Sequence, residues 1–81
     1  MTEQEIRDAV LAIIQDVADL DESPAVDGAR PLREQFELDS MDFLDIVMEL
    51  RKRHRIEVPE ADYKELASLD STVRYLKGRL G

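Results

Sequence analysis

Apolar residues return every three or four positions along most of this 81-residue chain, a spacing that restricts it to amphipathic helices. Ile6, Val10, Ile13, Ile14 and Val17 make one stripe, while Arg7, Asp8, Gln15, Asp16 and Asp19 fall outside it. Thr2, with Glu5 three residues on, forms a capping box, so this helix is expected to start there and to end near Leu20. A second helix enters at Asp39 or Ser40, since either side chain can accept a hydrogen bond from an unpaired N–H of the first turn. Farther on, Pro59 suits the first position of a short helix of one or two turns containing Ala61, Tyr63 and Leu66. Ser68 is placed to cap a last helix with Leu69, Val73, Leu76 and Leu80 inward, ending around residues 78–80, and with Tyr75 half-buried and its hydroxyl in water. No period-two strand pattern competes with these elements.

Residues 21–39 break the pattern, with Pro24, Gly28 and Pro31 spread among charged residues, and read as a long loop without a helix. Loops of that length are uncommon unless they serve a function. Leu32, Phe36 and Leu38 are the side chains expected to tie it to the core. A calcium loop starting at Asp19, with Asp21 and Ser23 as ligands, fails: its glycine position holds Pro24 and its closing glutamate position holds Arg30. The expected architecture is all-α, an up-and-down bundle of three main helices plus one short helix, with a long loop between helices 1 and 2. A single domain over residues 1–81 is expected, and at that size it buries only about 60% of its unfolded surface.

Stepping about 100° per residue from Ser40 sorts the second helix into three faces. Phe43, Ile46, Val47 and Leu50 point to the core; Asp42, Asp45 and Glu49 lie opposite; Met41, Leu44 and Met48 run between them. This apolar arc is wider than one buried face needs. Either the core of a four-helix bundle covers all of it, or the Met and Leu side chains are a partner surface whose orientation the neighbouring carboxylates set. At the far end, Arg51, Lys52, Arg53, His54 and Arg55 complement the helix dipole, each cation contributing about 0.3 to 1 kcal/mol.

Composition removes several kinds of chemistry. The chain has no cysteine, so disulfides, thiolate metal sites and a thiol nucleophile are absent, and any sulfur chemistry must come with a cofactor. Its only histidine, His54, would stand about 21 Å from Ser40 along one helix, too far for a hydrolase dyad. One histidine and scattered carboxylates leave no tetrahedral metal set. A net charge of −8 argues against nucleic acid and suits partners with basic patches, or solubility alone. No apolar run approaches the roughly 20 residues of a membrane span, and Glu3 and Glu5 make the N-terminus acidic where a signal peptide is basic. The expected setting is cytoplasmic.

The segment Phe36-Glu37-Leu38-Asp39-Ser40-Met41 resembles the Asp-Ser-Leu or Asp-Ser-Met motif of acyl carrier proteins, whose serine is esterified through phosphate to 4′-phosphopantetheine. Ile56-Glu57-Val58-Pro59 resembles the entrance to that family's third helix, and Ser68-Leu69-Asp70-Ser71-Thr72-Val73-Arg74-Tyr75-Leu76 resembles its last helix. Together the similarity covers residues 6–80 at the family's spacings. It implies a 4′-phosphopantetheine arm on Ser40 beside Asp39, loaded from coenzyme A by a phosphopantetheinyl transferase. The arm's thiol would then hold acyl groups as thioesters in fatty acid, lipid or related acyl-chain biosynthesis. It also implies a monomeric carrier and not an enzyme, recognised through Met41, Asp42, Leu44, Asp45, Met48 and Glu49 by acyl-transferring and acyl-modifying enzymes with basic docking patches. The acyl chain would have room to shelter between the helices. His54 stands where the family usually has an aromatic residue, so a partly buried imidazole is expected. Fatty-acid carriers are acidic where Arg51 and Lys52 stand, which points to a specialised carrier. The alternative is an unmodified acidic helical module that only binds proteins.

Overall fold

In a computed structural model of the chain, which describes residues 2–22 and 25–80, the Thr2 hydroxyl accepts from the Glu5 N–H and the Glu5 carboxylate accepts from the Thr2 N–H. Behind this reciprocal cap α1 runs Glu3–Val17. It stops before Leu20 because Asp19 takes a left-handed conformation at φ 55°; the Asp19 N–H bonds to the Asp16 carbonyl and the Leu20 N–H to the Gln15 carbonyl. That double closure is a Schellman ending.

The connection that follows is not free of helix. Leu32–Phe36 forms a five-residue α2, opened by Pro31 at φ −58° and closed by Glu37 in the left-handed region. So short a helix offers only the pair Leu32 and Phe36 at i, i+4, which is no periodicity to detect. Pro24 lies outside the described residues.

Several hydrogen bonds tie the connection down. Gln35 accepts from the Asp27 N–H and donates to the carbonyls of Asp27 and Arg30. The Asp70 N–H bonds to the Gly28 carbonyl at 3.0 Å and the Leu32 N–H to the Ala67 carbonyl at 2.8 Å. At Gly28 the approach to Asp70 is so close that an added Cβ would stand 2.3 Å from its carboxylate oxygen. A side chain at this position would displace the Asp70 carboxylate, so glycine is what lets that carboxylate sit so near.

The main helices are α3, Ser40–His54, and α4, Leu69–Leu80. Between them Glu60–Leu66 winds as a 3₁₀ helix instead of an α-helix, with Pro59 just before it, at the cap position and not inside. Ser68 and Ser71 exchange N–H to hydroxyl bonds of 3.2 Å each and so cap α4. Ile6, Val10, Ile13 and Ile14 of α1 are buried with Ile46 and Leu50 of α3 and Val73 and Leu76 of α4. Leu32, Leu38, Ile56, Val58, Leu66 and Leu69 complete this core. α1 packs on both α3 and α4, and α4 also packs on the 3₁₀ helix.

Phe43, Val47 and Tyr75 pack partly buried against the core, and His54 is half-buried. The Tyr75 hydroxyl does not rely on water: it donates to the Asp62 carboxylate at 2.6 Å. The side chain of Leu80 is outside the described residues. Among those residues no strand forms, and no helix is long and apolar enough to cross a membrane.

Candidate functional site

Burial of Leu38, only 4% exposed, anchors the chain one step before α3 begins. Asp39 is then extended, and its carboxylate accepts from the Asp42 N–H at 2.9 Å while the Asp42 carboxylate accepts from the Asp39 N–H at 3.0 Å. Of the two residues able to cap this helix, Asp39 does so. Ser40 is left as the first helical residue, exposed, with a hydroxyl that hydrogen-bonds to no other described residue. An oxygen at that position meets the positive end of the α3 dipole and the N–H groups of its first turn, a setting that favours an anion.

The surface of α3 divides unevenly. Met41, Leu44 and Met48 are 66%, 40% and 59% exposed, so the core does not cover the wide apolar arc. Asp45 is exposed beside them. Asp42 is half-buried and already engaged by the cap. Glu49 is drawn toward the far end, where Arg53 stands 2.9 Å and Lys52 3.6 Å from its carboxylate. Arg53 also pairs with Asp16 of α1, and these two carboxylates push its already high pKa further up.

A groove of about 530 Å³ opens beside Ser40, lined by Phe43 and Leu44 of α3, Tyr63 and Lys64 of the 3₁₀ helix, and Arg33 of α2. Its walls combine apolar side chains with two cations, a lining able to take a chain that is part apolar and part anionic. Arg33, Tyr63 and Lys64 were not singled out by sequence. They sit on elements far apart in the chain, and no periodicity marks a groove that only packing creates.

No feature here activates the Ser40 hydroxyl for turnover. It is bonded to no base, and His54 ends the same 15-residue helix at its opposite pole. Among the described residues no group of three or more carboxylates or histidines is arranged to hold a metal ion.

Comparison with known proteins gives the site its family. A family model described as the phosphopantetheine attachment site matches residues 8–76. The chain is 30% identical over 78 residues to an acyl carrier protein of Thermotoga maritima, covering 96% of this chain and 95% of the relative. It is 29% identical over 76 residues to an acyl carrier protein of Rubrobacter xylanophilus, covering 94% and 93%. It is 32% identical over 69 residues to the polyketide-8 synthase acyl carrier protein 2 of Streptomyces avermitilis, covering 85% and 78%. With a helical bundle of the right kind and matches that run nearly end to end, the chain belongs to the acyl carrier protein family, whose members are phosphopantetheine-bearing carriers and not enzymes.

Proposed function

We propose that Ser40 is the residue esterified by 4′-phosphopantetheine, and that the whole of residues 1–81 acts as one carrier domain, monomeric and cytoplasmic. The observation that carries this reading is the division of labour at the entrance to α3. Asp39 satisfies the helix end, so the neighbouring hydroxyl is held outward and unused. A phosphopantetheinyl transferase would take the hydroxyl proton as the Ser40 oxygen displaces the nucleotide of coenzyme A from the arm's phosphate. When bound, the arm supplies the thiol that the chain lacks, and with it acyl groups as thioesters. Arg33 and Lys64 offer cations to the phosphodiester, and Phe43, Leu44 and Tyr63 offer apolar surface to the arm and its cargo.

Met41, Asp42, Leu44, Asp45, Met48 and Glu49 form the face presented to acyl-transferring and acyl-modifying enzymes with basic patches. Such binding is weak and transient, because a carrier held tightly by one enzyme could not visit the next. The cargo belongs to fatty acid, lipid or related acyl-chain biosynthesis; the polyketide carrier among the relatives extends that range. Intact-mass measurement after incubation with coenzyme A and a broad-specificity transferase tests the attachment. One phosphopantetheine is expected on the native chain and none on Ser40→Ala. A mass gain that persists in the alanine variant excludes Ser40, and no gain on folded native protein leaves a module that only docks.

A further inference from the structure

The far end of α3 carries two cations, Arg51 and Arg55, that no close ion pair engages. Arg53 and Lys52 are engaged with Glu49, and Arg53 with Asp16. Arg51 reaches Glu57 only at 3.8 Å, with both side chains about three-quarters exposed, a pair worth little in water. Arg55 has no ionic partner among the described residues. A further cation arrives from the last turn of another helix: Arg79 of α4 lies over the Tyr75 ring at 5.6 Å, and only at 3.9 Å from Asp62. Arg51, Arg55 and Arg79 converge on one cleft of about 450 Å³, in which Glu57 is the one lining carboxylate among the described residues. An adjoining groove of about 400 Å³ shares Arg51, Glu57 and Arg79 and adds Val47, Met48 and Val58. The two adjoin across Arg51 and Arg79, so that this depression has a cationic rim on the cleft side and apolar walls on the groove side, in a protein of net charge −8.

We infer that this depression is a second docking surface, of opposite sign to the Ser40 end, and that it takes an apolar side chain flanked by carboxylates on a partner protein. Charge complementarity selects that occupant. Along its length of about 22 Å α3 is then bipolar, with Asp39 and the exposed Asp45 toward its entrance and Arg51 and Arg55 toward its exit. A partner basic along its whole docking site meets repulsion at the far pole. One basic toward Ser40 and acidic toward Arg55 is attracted at both, and only in one orientation. That orientation fixes which way the residue at the helix entrance faces the partner's active site.

The test uses the unmodified chain, so its result does not depend on loading of Ser40. The isotope-labelled protein is titrated with a short peptide carrying one leucine between glutamate pairs, and amide shifts are followed by NMR. Saturable shifts are expected at Met48, Arg51, Arg55 and Arg79, with none at residues 40–42. The same peptide with lysines for glutamates is expected to leave the depression unshifted. Arg51→Glu with Arg55→Glu is expected to weaken binding at least about tenfold. Because that double change could harm folding, Glu57→Gln supplies an independent arm: removing the cleft's carboxylate from a side chain 74% exposed is expected to tighten binding. An acidic peptide that shifts nothing in the depression, or whose affinity is the same for Glu57→Gln and the native chain, overturns the inference.

Discussion

Asp39 and Ser40 are neighbours with separate tasks, and substitution separates them. Asp39→Ala removes a cap that nothing nearby replaces and is expected to cost about 1 kcal/mol. For a domain this small that lowers the melting temperature by about 4–8 °C. Ser40→Ala deletes a hydroxyl with no partner among the described residues and is expected to change stability by less than about 0.5 kcal/mol. Thermal unfolding followed by circular dichroism decides; equal losses in the two variants would refute the assignment of the cap to Asp39. Tyr75 offers a second test. Partial burial, and then the bond its hydroxyl donates to Asp62, push its pKa above the ordinary tyrosine value. Folding therefore favours the neutral phenol. The contribution is complete below the unfolded pKa near about 10 and is lost as pH rises from there through the folded value. Native protein should lose more stability than Tyr75→Phe as pH rises above about 10 in denaturant titrations. Parallel declines would show that Tyr75 contributes nothing there.

Among the helices, α1 and α3 were legible because each holds a stripe of four or more apolar residues. α2 was not, and neither was the 3₁₀ character of Glu60–Leu66, since both are too short to show a period. What holds the long connection is its seam with α4, and Gly28 is the tightest point of that seam. Gly28→Ala would put a methyl 2.3 Å from the Asp70 carboxylate and push it from Arg7, now 3.2 Å away. A loss of about 1 kcal/mol is expected in equilibrium unfolding. In an Asp70→Ala background the same change should cost less, because the obstruction is gone. An equal cost in both backgrounds would place the strain elsewhere.

Taken as one body, the protein sets a small core against a large excess of negative charge. Among the described residues fourteen buried apolar side chains hold it, and the net charge of −8 opposes it through mutual repulsion. Among the described residues every ion pair has a member on α3 or α4, and none involves Asp42 or Asp45. Added salt screens both attraction and repulsion, and here repulsion is in excess. The melting temperature is expected to rise from low to moderate sodium chloride, and further with magnesium at equal ionic strength. A flat salt titration would show that repulsion does not limit this fold.

The helical class, the caps at Thr2 and Ser68 and the stripe of core residues could all be read in advance, whereas the width of the apolar arc on α3 left the exposure of Met41, Leu44 and Met48 open until packing decided it. Each depends on residues within a turn or two of one another, so local spacing carries the information. The choice of Asp39 over Ser40 as cap required backbone geometry, since both residues were chemically able. The groove joining Ser40 to Arg33, Tyr63 and Lys64, and the cleft joining Arg51 and Arg55 to Arg79, had no forerunner in the pattern. Tyr63 and Lys64 lie more than 20 residues beyond Ser40, and Arg79 more than 20 beyond Arg55, so these side chains meet only where burial of the apolar stripes has already docked one element on another.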